Sequence, residues 1–356
     1  MAISRKQPIT RSNMKKHLLL LLAASIFLAS CSKKDDPIPI DPIITYVPDN
    51  SFKVIAYMPG YRDPAAIPDA KYKMITHLFF AFLNINPTAD GSVNEFTATE
   101  QARFNTVKAK AKANNVKFGI SVMGNESVFA AIAANATART NLVNNLVSFV
   151  KTNDLAGLDL DWEYPRTTSS SDVNPNANFT LLMKALGTEL HKENKFLSAA
   201  ITPGVYVSSN RHAIAPEVYQ YVDFFNIMQY DGPGYDATEP LNHASYLMSV
   251  NSLNFWLNTK SMPKEKAIVG VPLYGENAAG QSLGYAAIRA SGADVNLNLA
   301  TVNGINYGFN GISTIKEKAK LAKDRANGIM FWEFSFDTND ETSLIKAAND
   351  QLGRTY

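Results

Sequence analysis

Between Leu155 and Pro165 the chain reads Leu-Ala-Gly-Leu-Asp-Leu-Asp-Trp-Glu-Tyr-Pro, with a carboxyl at every second position: Asp159, Asp161 and Glu163. Side chains of a β-strand alternate between faces, so this spacing predicts one side carrying three acids and the other carrying Leu158, Leu160 and Trp162. Adjacent acids on that side stand roughly 7 Å apart along the strand repeat and repel each other unless they share protons. Folding needs only the apolar side. The acidic side is therefore a candidate for proton transfer, since two like carboxyls cannot both ionise cheaply and can hold one proton between them for delivery to a substrate.

The elements that must position these acids follow from the rest of the chain. From Lys53 onward, short apolar runs rich in β-branched and aromatic residues alternate with longer helical patterns, the sequence form of repeated βα units. The runs begin near Lys53, Ile75, Val116, Ala156, Phe196, Val222, Ala267 and Gly328, with helical stretches at 100–114, 139–152, 178–193 and 315–326 between them. Eight units predict the α/β class and a closed (β/α)8 TIM barrel. An open doubly wound sheet lacks support, because no Gly-x-Gly-x-x-Gly turn follows the first strand. Between Tyr274 and Gly328 lie about fifty residues, room for a loop, a small irregular excursion and a helix but not for a large α+β insertion domain, so the cleft is expected to be open. Groups at the C-terminal ends of barrel strands converge on one site. Those ends carry Glu163 in the fourth strand, Met228-Gln229-Tyr230-Asp231 before a Gly-Pro-Gly turn in the sixth, and Phe331-Trp332-Glu333 in the eighth.

The run from Gly157 to Pro165 resembles the signature of glycoside hydrolase family 18, the chitinases and their relatives, and the Met-x-Tyr-Asp and Phe-Trp-Glu segments resemble the same family at their strands. The resemblance implies that Glu163 is the proton donor and that the substrate's own acetamido oxygen attacks the anomeric carbon, an exception to the two-carboxylate scheme. It further implies that Asp161 orients the acetamide and stabilises the oxazolinium ion, that Tyr230 donates to the same carbonyl oxygen, and that Asp159 shares a proton with Asp161. Trp332 matches the indole under the distorted sugar, Asp231 would meet a sugar hydroxyl, and Met228 belongs to the same substrate-binding set. Tyr57 and Ser121 match positions that hydrogen-bond the innermost aspartate. The implied activity is retaining hydrolysis of β-1,4 bonds between N-acetylglucosamine residues. Cleavage of the N-glycan chitobiose core and non-catalytic glycan binding are the alternatives. Two positions depart from the pattern. Ala156 replaces the family's leading Asp, on the strand face opposite the acids by alternation, and Met123 stands where Ser-x-Gly-Gly would place a glycine.

Other chemistries find no residues. Gly119-Ile-Ser121-Val-Met123 lacks the last glycine of a nucleophile elbow, and His77, His191, His212 and His243 form no close pair or His-Glu-x-x-His. No metal or cofactor is implied. His77 reads as a core histidine, and Phe79, Phe80 and Phe82 as barrel packing. A net charge of +2 with no Lys/Arg cluster among aromatics excludes a nucleic-acid partner.

The N-terminus reads as a leader. Lys15 and Lys16 precede an apolar run from Leu18 to Leu28 that meets Leu28-Ala29-Ser30-Cys31, a charged region, a short hydrophobic region and a small-residue cleavage site. This resembles a bacterial lipoprotein signal, with Cys31, the only cysteine, as the lipidated residue. The expected organisation is a signal peptide at 1–30, a lipidated cysteine and Pro-rich linker at 31–51, and the barrel at 52–356. Ser32-Lys33-Lys34-Asp35-Asp36 resembles a tether that sends some Gram-negative lipoproteins to the outer face of the outer membrane, so the expected partners are an N-acetylglucosamine saccharide and, through the anchor, a membrane.

Overall fold

The computed structural model describes residues 46–356; Cys31 and the leader lie outside the described residues. Eight parallel strands close a barrel: β1 (Lys53–Pro59), β2 (His77–Asn84), β3 (Lys117–Met123), β4 (Gly157–Asp161), β5 (Phe196–Ile201), β6 (Phe224–Ile227), β7 (Ala267–Pro272) and, after a small separate sheet, β12 (Gly328–Trp332), which pairs with β1. Each begins within two residues of the position its apolar run predicts. Helices α1 (Asp69–Tyr72), α2 (Ala98–Ala113), α3 (Glu126–Ala134), α4 (Ala136–Thr152), α5 (Ala177–Lys192), α6 (Tyr246–Leu253), α7 (Tyr285–Ala290), α8 (Ile312–Arg325) and α9 (Leu344–Leu352) complete the chain. Several start on a side-chain cap. The Thr97 hydroxyl accepts from the Glu100 amide while Glu100 reaches back to the Thr97 amide, satisfying the first free donors of α2.

The barrel separates two cores. Leu158, Leu160 and Trp162 on the outer side of β4 join the layer between strands and helices, where Trp162 stacks on Phe129 of α3 at 5.4 Å. Burying each leucine contributes about 1.5–3 kcal/mol, so the outer side alone secures the strand. Inside, Ile55, Phe79, Phe196, Phe224 and Ile268 fill the barrel below the acids, with fully buried His77 set edge-on to Phe196 and Phe224 and bonded through Nδ1 to Thr76 Oγ1 at 2.8 Å. Burial pushes the His77 pKa down to about 3.

Three expectations change. Ala156 precedes β4 at the N-terminal rim and packs beside the inner cluster, not on the outer face; strict alternation ends where the strand does. Residues 46–51, expected as linker, already lie on the N-terminal end of the barrel: Tyr46 stacks on His191 at 4.0 Å and donates to Asp223 Oδ1 at 2.8 Å, and Asp49 pairs with Lys117. The excursion after β7 is ordered, not irregular. Strands β8 (Tyr274–Asn277), β9 (Ser282–Gly284), β10 (Leu299–Val302) and β11 (Ile305–Gly308) form an antiparallel sheet in the order β10-β11-β8-β9. Its β10–β11 hairpin turns on Asn303-Gly304, both at positive φ, the turn chemistry a two-residue hairpin favours.

Candidate active site

Strand register sets the deepest layer. Ser121, Asp159 and Ser198 are cross-strand partners on β3, β4 and β5, so their side chains meet inside the barrel. Asp159 is fully buried. Its Oδ2 accepts from the Tyr57 hydroxyl at 2.8 Å and Ser121 Oγ at 2.9 Å, and its Oδ1 from Ser198 Oγ at 2.7 Å and Asn226 Nδ2 at 3.2 Å. Burial pushes the Asp159 pKa up, and these four donors oppose the rise. Tyr57 and Ser121 thus touch the innermost aspartate, and Ser198 and Asn226 join them.

Asp161, one layer higher, is 4% exposed. Burial raises its pKa well above the carboxylate range, helped by the charges of Glu163 and Asp159 and by a hydrogen bond to Glu163. Asp161 thus stands between Glu163 and Asp159, the charge of each raising it, and the oxygens of Asp159 already hold four donors. Burial also raises the Glu163 pKa, against hydrogen bonds from Tyr164 and Asp161, with the Asp231 charge adding to the rise. Both directions favour a proton on the pair. Asp161 Oδ1 is buried with no hydrogen-bond partner among the described residues.

A cavity of about 360 Å³ opens above this pair, lined by Asp161, Glu163, Tyr230, Asp231, Met228, Tyr57 and Trp332. All of the expected site residues line it except Asp159 and Ser121, which sit beneath. Met123 also faces it, so the glycine-to-methionine departure reaches the cleft. Glu333 does not line it. Its carboxylate binds Arg62 Nε at 3.2 Å and the Ser335 amide at 2.8 Å. Phe82 corrects the packing assignment: Phe79 and Phe80 are core, but Phe82 lines the cavity and stacks on Trp332 at 5.6 Å. A register shift between Ala81 and Leu83 on β2 re-aims it.

Sequence reasoning also missed Tyr164 and Tyr206 in the wall and a cluster beside Asp231. There His243, Glu276 and Asp231 bring one carboxylate or imidazole atom each within 4.8 Å of one another, although the histidine spacing gave no such sign. Tyr274 and Glu276 reach it from one face of β8, being two residues apart on a strand.

The sequence profile of Glycosyl hydrolases family 18 matches residues 46–337, which hold all eight barrel strands and the site. The chain belongs to that family. Among its family 18 relatives, Putative chitinase 1 of Margaritifera margaritifera is 25% identical over 74% of this chain and 66% of its own length, and a Class V chitinase of Arabidopsis thaliana is 27% identical over 83% and 89%. The chain thus spans just under two thirds of the first of these proteins. A crystal structure of a chitinase from Bacteroides thetaiotaomicron superposes with a TM-score of 0.69 at 25% identity, covering 86% of this chain and 99% of that one. These three share the family's barrel with this chain.

Proposed function

We propose that this family 18 barrel hydrolyses β-1,4 bonds between N-acetylglucosamine residues with retention of configuration, using the substrate's acetamide as the nucleophile. One observation carries the reading: Asp161, whose Oδ1 is a buried acceptor without a partner among the described residues, lines the cavity beside Glu163 and Tyr230. A buried acceptor left unmade costs about 1–3 kcal/mol, and the N–H of a substrate acetamide is a donor able to meet it. A protein nucleophile is disfavoured by the same pair. In retaining enzymes the second carboxyl attacks from the face of the sugar opposite the acid, and Asp161, hydrogen-bonded to Glu163, shares its side.

The residues then take these parts. Glu163 protonates the leaving oxygen; Asp161 turns its lone pair to the acetamide N–H and faces the positive oxazolinium; Tyr230 donates to the acetamide oxygen. Trp332, braced by Phe82, offers a flat apolar face to the ring of the sugar. Product analysis on N-acetylglucosamine oligomers of defined length, with proton NMR of the first-formed anomer, tests the reading. A β-anomer from these oligomers and no cleavage of β-1,4-glucan support it. Cleavage of glucan refutes the acetamide nucleophile, release of N-glycans alone favours the chitobiose reading, and tight binding without turnover favours a binding protein.

The same proposal includes the lipid anchor and surface display. Its support is the leader sequence, with residues 46–51 docked on the N-terminal end of the barrel strands. Cys31→Ala should release the protein from membranes or leave its signal uncleaved. Unchanged membrane retention of a processed mutant refutes the anchor.

A further inference from the structure

We infer that His243 is a positioning residue for Asp231, clamping the turn beyond β6 so that the Asp231 carboxylate faces the cavity it shares with Glu163. Asp231 has φ +59°, a left-handed conformation that a non-glycine residue keeps only where its surroundings hold it. The Asp231 N–H donates to His243 Nδ1 at 3.1 Å, the next amide, Gly232 N–H, donates to the His243 carbonyl at 2.8 Å, and His243 Nε2 meets the Tyr274 carbonyl at 3.2 Å. One buried residue thereby ties the turn beyond β6 to the start of β8.

These contacts also assign the tautomer. A carbonyl can only accept, so Nε2 carries the proton; an amide N–H can only donate, so Nδ1 offers its lone pair. The carboxylate itself is held from the other side. The Tyr274 hydroxyl donates to Asp231 Oδ1, and Glu276 reaches the same carboxyl. Burial pushes the Asp231 pKa up and the donors Tyr274 and Glu276 oppose the rise, while burial raises Glu276; the bare Nδ1 donates nothing to the carboxylate. The arrangement favours the proton on Glu276 and the charge on Asp231.

A cation is the competing occupant, because Nδ1 lies 3.4 Å from Asp231 Oδ1 and 3.9 Å from Glu276 Oε2. The Asp231 amide, aimed at the one lone pair a metal would need, disfavours it.

The consequence rests on the hydrolase reading. The groups facing Asp231 are Glu163 and Tyr164 from the end of β4, Tyr230 beside it, and His243, Tyr274 and Glu276 from the clamp. A fixed negative charge at Asp231 favours protonated Glu163, and so extends acid catalysis to higher pH.

The experiment compares pH profiles of kcat/KM on an N-acetylglucosamine oligomer. His243→Leu should lose about 10-fold or more and move its alkaline limb to lower pH, while His243→Asn, whose side-chain oxygen can replace Nδ1 as acceptor, should stay within about 3-fold with the limb in place. Equal losses in both with an unmoved limb would overturn the inference. If His243→Leu does not fold, His243→Gln, whose amide reaches the Nε2 position but leaves the Asp231 N–H without its acceptor, should shift the limb the same way, and an unchanged profile there also overturns it. Nitrogen-15 NMR of the wild type at neutral pH should show protonated Nε2 and bare Nδ1; a proton on Nδ1 refutes the clamp whether or not the enzyme turns over. Zinc binding by titration calorimetry that Glu276→Gln abolishes would replace the clamp with a metal site. A wild type inactive on every N-acetylglucosamine substrate, yet with the expected tautomer, overturns the functional reading and leaves the clamp standing.

Discussion

Replacing Asp161 by asparagine separates the charge of that side chain from its shape. In the proposed reaction Glu163 gives its proton to the leaving oxygen, the proton of the pair passes to Glu163, and a positively charged oxazolinium forms against the Asp161 carboxylate so left ionised. The attraction of two unit charges across roughly 4 Å is about 1 kcal/mol in water and about 4 kcal/mol at an effective dielectric of ~20. Asp161 is 4% exposed, so the larger figure applies. At about 1.4 kcal/mol per decade, Asp161→Asn should lower kcat by about 10³-fold. Asparagine keeps an oxygen where Oδ1 accepts the substrate amide, so KM should move by less than about 3-fold. Its NH2 group would donate to Glu163 and favour the carboxylate there, which should bring the alkaline limb of the residual activity to lower pH. Initial rates on one defined oligomer across pH, with thermal unfolding to confirm the fold, measure all three quantities. A loss under about 10-fold, or one carried wholly by KM, would show that Asp161 does not face developing charge and would refute the mechanism.

Glu163→Gln keeps the size of the acid but cannot deliver a proton, so hydrolysis should fall by about 10²-fold or more while oligomer affinity, read by calorimetry, persists. Tyr230→Phe should lower turnover by about 10-fold or more at nearly unchanged melting temperature, since it removes one donor and little volume; unchanged turnover would remove Tyr230 from the mechanism. Lys318, fully buried on α8, donates to the Ala244 carbonyl at 2.6 Å, and burial pushes its pKa from 10.5 down to about 7. The unfolded chain holds this proton between those values and the folded chain does not, so stability should rise with pH from about 7 to about 10, and below 7 the buried ammonium costs about 5 kcal/mol. Lys318→Met should therefore flatten the urea midpoint against pH in that window and raise it at pH 6; an unaltered slope would show that Lys318 does not set it.

Alternation along 158–163 was enough to divide β4 into an acidic and an apolar side, because a strand has a side-chain period of two and the hydrophobic effect decides which side meets the helices. The eight apolar runs marked the strand starts for the same reason. Phe82 was misread because a register shift in β2 breaks that period, and Ala156 because the period does not extend past the strand end. The small sheet was read as irregular, since its strands are four residues or shorter and carry little periodicity, although Asn303-Gly304 marked one hairpin.

The sequence by itself determined the barrel, the three acids and the strand ends from which Tyr230, Asp231 and Trp332 reach the cavity, because each of these depends on local period and on a rule linking strand ends to sites. The raised carboxyls of Asp161 and Glu163, the four donors on Asp159 and the contacts of His243 were decided only by the tertiary structure. Hydrogen-bond partners such as Asn226 and Asp159, 67 positions apart, are chosen by which strands become neighbours when the barrel closes, and the pKa shifts come from the desolvation that this closure imposes.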